Sequence, residues 1–169
     1  MLIGFPQLLD KVNEHIDRLD YAREPMNLYE PVKYILALGG KRIRPVMMLM
    51  AYNMYRDDVD KILDPALALE IYHNFTLLHD DLMDNADVRR GKPTVHKRWD
   101  ANTAILSGDV MLSLADVYMS RIDDAYFRQV MARFQQTSIE IAEGQGCGME
   151  FETRTDVAGQ GYIEMGRLR

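Results

Sequence analysis

The segment DPALALEIYHNFTLLHDDLMDNA, residues 64–86, constrains this chain more than any other stretch. It opens on the Asp64–Pro65 pair, a helix-start signal, and continues with apolar residues at helical spacing. It then closes on the carboxylates Asp80, Asp81 and Asp84, with Asp87 just beyond. On an ideal helix turning ~100° per residue, Asp80 falls about 20° to one side of His73 and Asp84 about 20° to the other. Acids one turn apart repel by roughly 0.2–0.5 kcal/mol a pair, so a surface helix gains little from them. A helix that holds a divalent cation gains much more. Mg²⁺ suits one or two carboxylates, keeps several waters and completes its shell with substrate phosphates. Taken alone, DDLMD also fits a solvated acidic helix end, and His73 alone fits a structural histidine.

The remaining pattern is helical almost throughout. Leu8, Leu9, Val12, Ile16 and Leu19 form one stripe, and Val32, Ile35, Leu36 and Leu38 another. RPVMMLMAYNMY (44–55) is apolar on most sides and is expected to be buried, with Pro45 near its start, where proline is tolerated. Residues 103–122 and 126–145 read as further helices, and a last one from about Tyr162 stops at Arg169 in mid-pattern. Breakers fall at Gly39–Gly40, at RRGKP (89–93) and at TDVAGQG (155–161). No alternating strand pattern of useful length and no internal linker is visible. The chain therefore reads as all-α, one domain over residues 1–169, and incomplete.

Two basic clusters flank the acids. GGKRIRP (39–45) joins two glycines, which permit a sharp turn and close backbone approach to a ligand, to three cations. Lysine is a point-charge phosphate binder, arginine offers a planar fork, and helix N-termini favour anions. RRGKPTVH (89–96) supplies Arg89 and Arg90 directly after the acids. Each cluster alone also fits an ordinary charged turn. A cation-binding face beside two anion-binding clusters suggests two polyphosphate ligands, one held through Mg²⁺ and one held directly.

Composition narrows the class. A net charge of −6 argues against nucleic acid or an anionic membrane bound through bulk charge. No run approaches the ~20 apolar residues that span a bilayer, so no membrane insertion is expected. The N-terminus is broken by Asp10, Lys11, Glu14, Asp17 and Arg18, unlike a signal peptide. Cys147 is the only cysteine, which excludes an internal disulfide and fits a reducing, cytoplasmic setting.

Together, GGKRIRP, the His73-to-Asp80 spacing, HDDLMD, DVRRGKPTVH and ILSGD resemble the trans-isoprenyl diphosphate synthases, or polyprenyl synthetases. The resemblance runs from about residue 30 onward. It implies the isoprenoid-synthase helical bundle around a central cavity, here its N-terminal half, and a Mg²⁺-dependent condensation of isopentenyl diphosphate with an allylic diphosphate. By resemblance Asp80 and Asp84 bind Mg²⁺, Asp81 shapes the site and Arg89 grips the allylic diphosphate. Gly40, Lys41, Arg44, His73 and Arg90 line the isopentenyl diphosphate site, with Arg42 close by. Tyr72, Phe75 and Thr76 form the floor that sets product length. With Thr76 small and no insertion in DDLMD, a twenty-carbon product is expected ahead of a fifteen-carbon one. On the helical wheel, however, Phe75 stands about 140° from Asp80. The resemblance also implies a homodimer, to which the apolar 103–122 segment is suited.

Two departures stand out. Gly148 occupies the position three residues after Gln145 where the family usually has an acid. The family's second aspartate-rich motif is absent from these 169 residues, and a fragment of this kind is expected to turn over little. A non-catalytic subunit of a heteromeric synthase is the main alternative, although such partners often lose acids that this chain keeps. A terpene cyclase would lack GGKRIRP. A di-iron bundle would need a second copy of the Glu70-x-x-His73 pattern, and His15, His79 and His96 have no glutamate three residues before them.

Overall fold

The computed structural model describes every residue except Met1, Tyr21, Ala22, Thr155, Val157 and Arg169. The expected break at 155–161 and the expected stop at Arg169 thus fall partly outside the described residues. Eight helices are described: α1 (Phe5–Asp17), α2 (Met26–Ala37), α3 (Ile43–Asn53), α4 (Leu63–Met83), α5 (Val95–Arg98), α6 (Ala101–Met119), α7 (Asp124–Thr153) and α8 (Gly159–Leu168). A 3₁₀ turn, Val59–Ile62, leads into α4. Among the described residues the one sheet is a two-stranded hairpin, β1 (Val88–Arg89) and β2 (Lys92–Pro93). The all-α reading is therefore correct apart from this hairpin, whose strands are too short to leave an alternating pattern.

Met1–Ile122 and Asp123–Arg169 form two compact units. In the first, α4 is the hub, packed against α1, α2, α3, α5 and most extensively α6. Its length follows from its composition: buried Ala66, Leu67, Ala68, Ile71 and Leu78 give it apolar contact on several sides. Leu8, Val12 and Ile16 of α1 close the core from one side, and Val32, Ile35 and Leu36 of α2 close it from another. Each fully buried aliphatic side chain contributes about 1.5–3 kcal/mol relative to exposure.

The α4–α6 contact depends on small residues. Asp100 caps α6 by accepting from the Thr103 amide at 2.8 Å. Ala104, Ser107, Gly108, Met111 and Ala115 then repeat at three- and four-residue steps along its buried face. Ser107 donates to the Leu28 carbonyl of α2 at 3.0 Å. At Gly108 the imidazole of His79 occupies the space that a Cβ would need. His79 Nε2 also lies 3.2 Å from the Ile105 carbonyl oxygen, and its ring meets Phe75 edge-on at 4.8 Å. At the other end, Asp64 of α4 lies 2.6 Å from His15 of α1 and 3.0 Å from Arg121 in the turn after α6.

The expected burial of residues 44–55 is corrected by the structure. Only Pro45, Val46, Leu49 and Asn53 of α3 are buried. Ile43, Met47, Met50 and Met54 lie exposed on another face, Met47 by 60% and Met54 by 68%. An all-round apolar sequence made every face look internal, but α3 packs mainly on α1 and α4 and so buries one side.

In the second unit α7 continues past the expected end at 145, through Gly146 and Gly148, to Thr153. Its start is fixed by Asp123, whose carboxylate accepts from the Ala125 amide. Phe134 and Gly144 are its buried residues, and α8 packs against α7. No described helix is long and apolar enough to cross a membrane.

The Gly108 contact generates a test. Gly108→Ala should gain up to ~1 kcal/mol of helix propensity but lose roughly 1–3 kcal/mol by overpacking against His79, a net destabilisation. Adding His79→Ala should remove the clash, so the two changes should be strongly non-additive in urea unfolding.

Candidate functional site

Helix α4 delivers its polar residues to two ends of one surface. Its C-terminus is closed by a Schellman arrangement: the Ala86 amide donates to the Asp81 carbonyl at 2.9 Å and the Asn85 amide to Leu82 at 3.1 Å. Asn85 takes the left-handed conformation, φ 50°, that this cap requires. Asp84 is thereby the exposed C-cap residue, one turn from half-buried Asp80.

The chain then doubles back. Val88 pairs with Pro93 and Arg89 with Lys92, leaving Arg90 and Gly91 as a two-residue turn with φ of 52° and 77°. Two positive φ values define a type I′ turn, which matches the strand twist and which glycine enters freely. Thr94 anchors the return, donating to the Ala86 carbonyl from its hydroxyl and to Asp87 from its amide. The sequence marked this region as a breaker and a basic cluster, not as a hairpin. Asn85 and the Arg90–Gly91 pair were the signals that could have revealed it.

The hairpin carries Arg89 back over α4. Its Nε and one Nη donate to the two carboxylate oxygens of Asp81 at 2.6 and 2.7 Å. Asp81 is buried, with 5% of its side chain exposed, against 26% for Arg89. This bidentate bond raises the Arg89 pKa above its ordinary value, and the fields of Asp81, Asp80 and Asp84 add to the effect. Two of the three Arg89 nitrogens are thus engaged by Asp81, the acid expected to shape the site.

The other basic cluster forms a cleft of about 470 Å³ lined by Gly40, Lys41, Arg42, Ile43, Arg44, Glu70, His73 and Arg90. Gly40 sits at φ 149°, and its missing side chain leaves room for the Arg90 guanidinium, 2.9 Å from where a Cβ would stand. All five residues expected at one diphosphate, Gly40, Lys41, Arg44, His73 and Arg90, meet here. Lys41 and Arg44 are exposed, and neither enters an ion pair among the described residues. Arg42 differs. It turns inward to Glu70, as taken up below.

His73 is half-buried in this cationic surround. Burial lowers its pKa first, Arg44, Arg90 and Arg89 lower it further, and Glu70 opposes them. The imidazole is therefore neutral at pH 7. Arg90 is also pressed downward, by burial and then by Arg42, yet an arginine stays charged. Arg89 links the two ends, since it senses Asp80 and Asp84 while acting on His73.

Among the described residues no three His, Cys, Asp or Glu side chains gather into a ready-made metal cage. Two oxygen donors a turn apart, Asp80 and Asp84, fit the coordination that Mg²⁺ accepts when ligand phosphates complete its shell. Tyr72 and Phe75 meet edge-on at 5.5 Å, and the same Phe75 ring contacts His79, on the side of α4 that faces α6. Thr76 turns its hydroxyl onto the His73 carbonyl at 2.8 Å.

This is a helical fold with paired aspartates near the end of α4 and a divided set of cations beside them. The polyprenyl synthetase family model matches residues 25–169, and the chain belongs to that family. It is 40% identical to a geranylgeranyl diphosphate synthase of Methanosarcina mazei over 91% of this chain and 48% of that one. A crystal structure of a geranylgeranyl pyrophosphate synthase superposes with a TM-score of 0.93 at 45% identity, over 98% of this chain and 51% of its own. The geranylgeranyl pyrophosphate synthetase of the archaeon Geoglobus acetivorans gives 0.91 at 37% identity, over 97% and 54%. The chain spans about half the length of these relatives.

The hairpin generates its own test. Arg89→Met leaves the buried Asp81 carboxylate without its partner and should cost roughly 2–4 kcal/mol in thermal or urea unfolding. Combining it with Asp81→Leu should restore most of that loss, because an apolar pair of similar volume removes the unpaired charge.

Proposed function

We propose that these residues belong to a prenyltransferase that condenses isopentenyl diphosphate with an allylic diphosphate to make a short-chain prenyl diphosphate, twenty carbons long with fifteen as the next choice. The observation that carries the reading is the cleft in which Lys41, Arg44, His73 and Arg90 converge on the Gly40 turn, with the aspartates of α4 on the same helix as His73. Two diphosphates with separate grips are what such a condensation requires. The relatives named above, all synthases of the geranylgeranyl type, support the class and the product size.

Each group then has a role. Lys41, Arg44 and Arg90 hold the isopentenyl diphosphate by direct charge, and neutral His73 donates a hydrogen bond to it. Asp80 and Asp84 would hold Mg²⁺, and the Arg89 nitrogen not used by Asp81 would reach the allylic diphosphate. When bound, the metal supplies Lewis-acid stabilisation of charge developing on the diphosphate leaving oxygen. Fixed guanidinium charge at Arg89 acts in the same direction without reorganising. Loss of the leaving group yields an allylic cation, which the isopentenyl double bond attacks before a proton departs. Tyr72, Phe75 and Thr76 limit chain growth. A second copy pairs through α6, where Ile105, Leu106 and Val117 are exposed, and the protein works in the cytoplasm.

The decisive assay expresses the complete reading frame containing these residues and supplies isopentenyl diphosphate, each allylic primer and Mg²⁺. A twenty-carbon product is expected. A much longer product would keep the class and remove Tyr72, Phe75 and Thr76 as the floor. Absence of product from folded protein would move the reading to a non-catalytic subunit.

The His73 environment adds a pH prediction. Because its folded pKa lies below the unfolded value near 6.5, the fold binds fewer protons than the unfolded chain. Its contribution to stability is full above about pH 6.5 and is lost as pH falls through the folded value. A bound diphosphate supplies negative charge and raises that pKa, so ligand affinity should move the opposite way, rising as pH falls below neutrality. Titration with inorganic diphosphate from pH 8 to 6 should show more proton uptake on binding than the His73→Asn variant shows. The ligand's own protonation cancels in that comparison.

A further inference from the structure

Arg42 sits between Lys41 and Arg44 in sequence but not in role. Its side chain is 3% exposed, as is that of Glu70, to which Nη1 donates at 2.6 Å. Nη2 donates to the Leu36 carbonyl in the last turn of α2, also at 2.6 Å. Asn74, one turn after Glu70, donates to the same Glu70 oxygen at 2.9 Å and to the Glu70 carbonyl at 2.8 Å. One guanidinium thus joins the end of α2, the start of α3 and the middle of α4.

The arrangement has costs that packing alone would not select. Arg42 holds φ 48° at the N-cap of α3, a left-handed conformation that residues with a Cβ adopt only at a cost. Arg42 Nε and Asn74 Oδ1 are buried without a hydrogen-bond partner. Buried ion pairs are often no more stabilising than an apolar pair of similar volume. Backbone strain and unpaired polar atoms concentrate where geometry matters more than stability.

We infer that Arg42 and Glu70 are positioning residues, a buried clamp that fixes the turn at residues 39–42 so that Lys41 and Arg44 face the diphosphate cleft together with His73. The register explains how. Glu70 lies three residues before His73 on α4, so the acid that captures Arg42 is carried by the same turn of helix that presents the imidazole. Arg42 in turn sets the left-handed step from which Lys41 departs on one side and α3, with Arg44 in its first turn, on the other. Both residues border the cleft, but the Arg42 guanidinium is turned to Glu70 and the Leu36 carbonyl. The inference rests on the diphosphate reading of the cleft and assigns to it residues beyond those that bind.

The test separates orientation from stability. In the purified chain, Arg42→Met combined with Glu70→Leu replaces the ion pair by apolar bulk. Urea unfolding should show stability close to the starting protein, while affinity for inorganic diphosphate should weaken roughly ten- to hundredfold, as expected when a binding constellation loses its supporting contacts. Unchanged affinity in a folded double variant would overturn the clamp. If that variant does not fold, Arg42→Lys serves instead, because it keeps the charge beside Glu70 but cannot span to Leu36. It should weaken binding at least fivefold with helicity preserved, and full affinity would overturn the inference. Failure of the unaltered chain to bind diphosphate at all would instead count against the reading of the cleft.

Discussion

Two carboxylates that cannot remain buried alone organise this structure. Glu70 and Asp81 lie eleven residues apart on α4, which on an ideal helix places them within about 20° of each other and about 16 Å apart along the axis. An unpaired buried carboxylate is costly, so each draws in an arginine. Glu70 takes Arg42 from the loop before α3, and Asp81 takes Arg89 from the hairpin after α4. A loop and a two-stranded hairpin are thereby pinned to one helix. The cations next to the captured arginines, Lys41 on the loop and Arg90 on the hairpin, are left exposed in the cleft.

The division of labour among like charges follows from this. Six basic or imidazole groups, Lys41, Arg42, Arg44, His73, Arg89 and Arg90, would repel one another if all were equivalent. Instead, Arg42 and Arg89 are neutralised by buried acids, and His73 is kept uncharged by burial and its neighbours. Lys41, Arg44 and Arg90 retain their positive fields without a salt bridge among the described residues, a state that favours an anion entering from solvent. The open conformations of Gly40 and Gly91 are the backbone counterpart, since both turns must bring their cations close together.

Much of this was legible in the sequence, and the failures have definite causes. The helices were visible because apolar spacing persists over many residues, and His73, Asp80 and Asp84 shared a face by arithmetic alone. The gathering of Gly40, Lys41, Arg44, His73 and Arg90 followed from the family resemblance and is matched by the cleft that they line. The hairpin at 88–93 was not visible because two-residue strands carry no period, and its identity resides in Asn85 and the Arg90–Gly91 turn. Arg42 was indistinguishable from Lys41 and Arg44 by composition, since only packing against Glu70 turns it inward. The wheel placed Phe75 far from Asp80, and its ring does lie with Tyr72 and His79 on the α6 side. The burial expected of α3 failed because hydropathy counts apolar residues but not the neighbours available to cover them.

That uncovered side of α3 has a chemical consequence. Met47, Met50 and Met54 present three thioethers along one exposed face, whereas Met111 and Met119 are sealed in the core of the same unit. A peroxide meeting this protein would therefore convert surface sulfur to polar sulfoxide first, changing how the α3 face interacts with water while the packed interior kept its original chemistry.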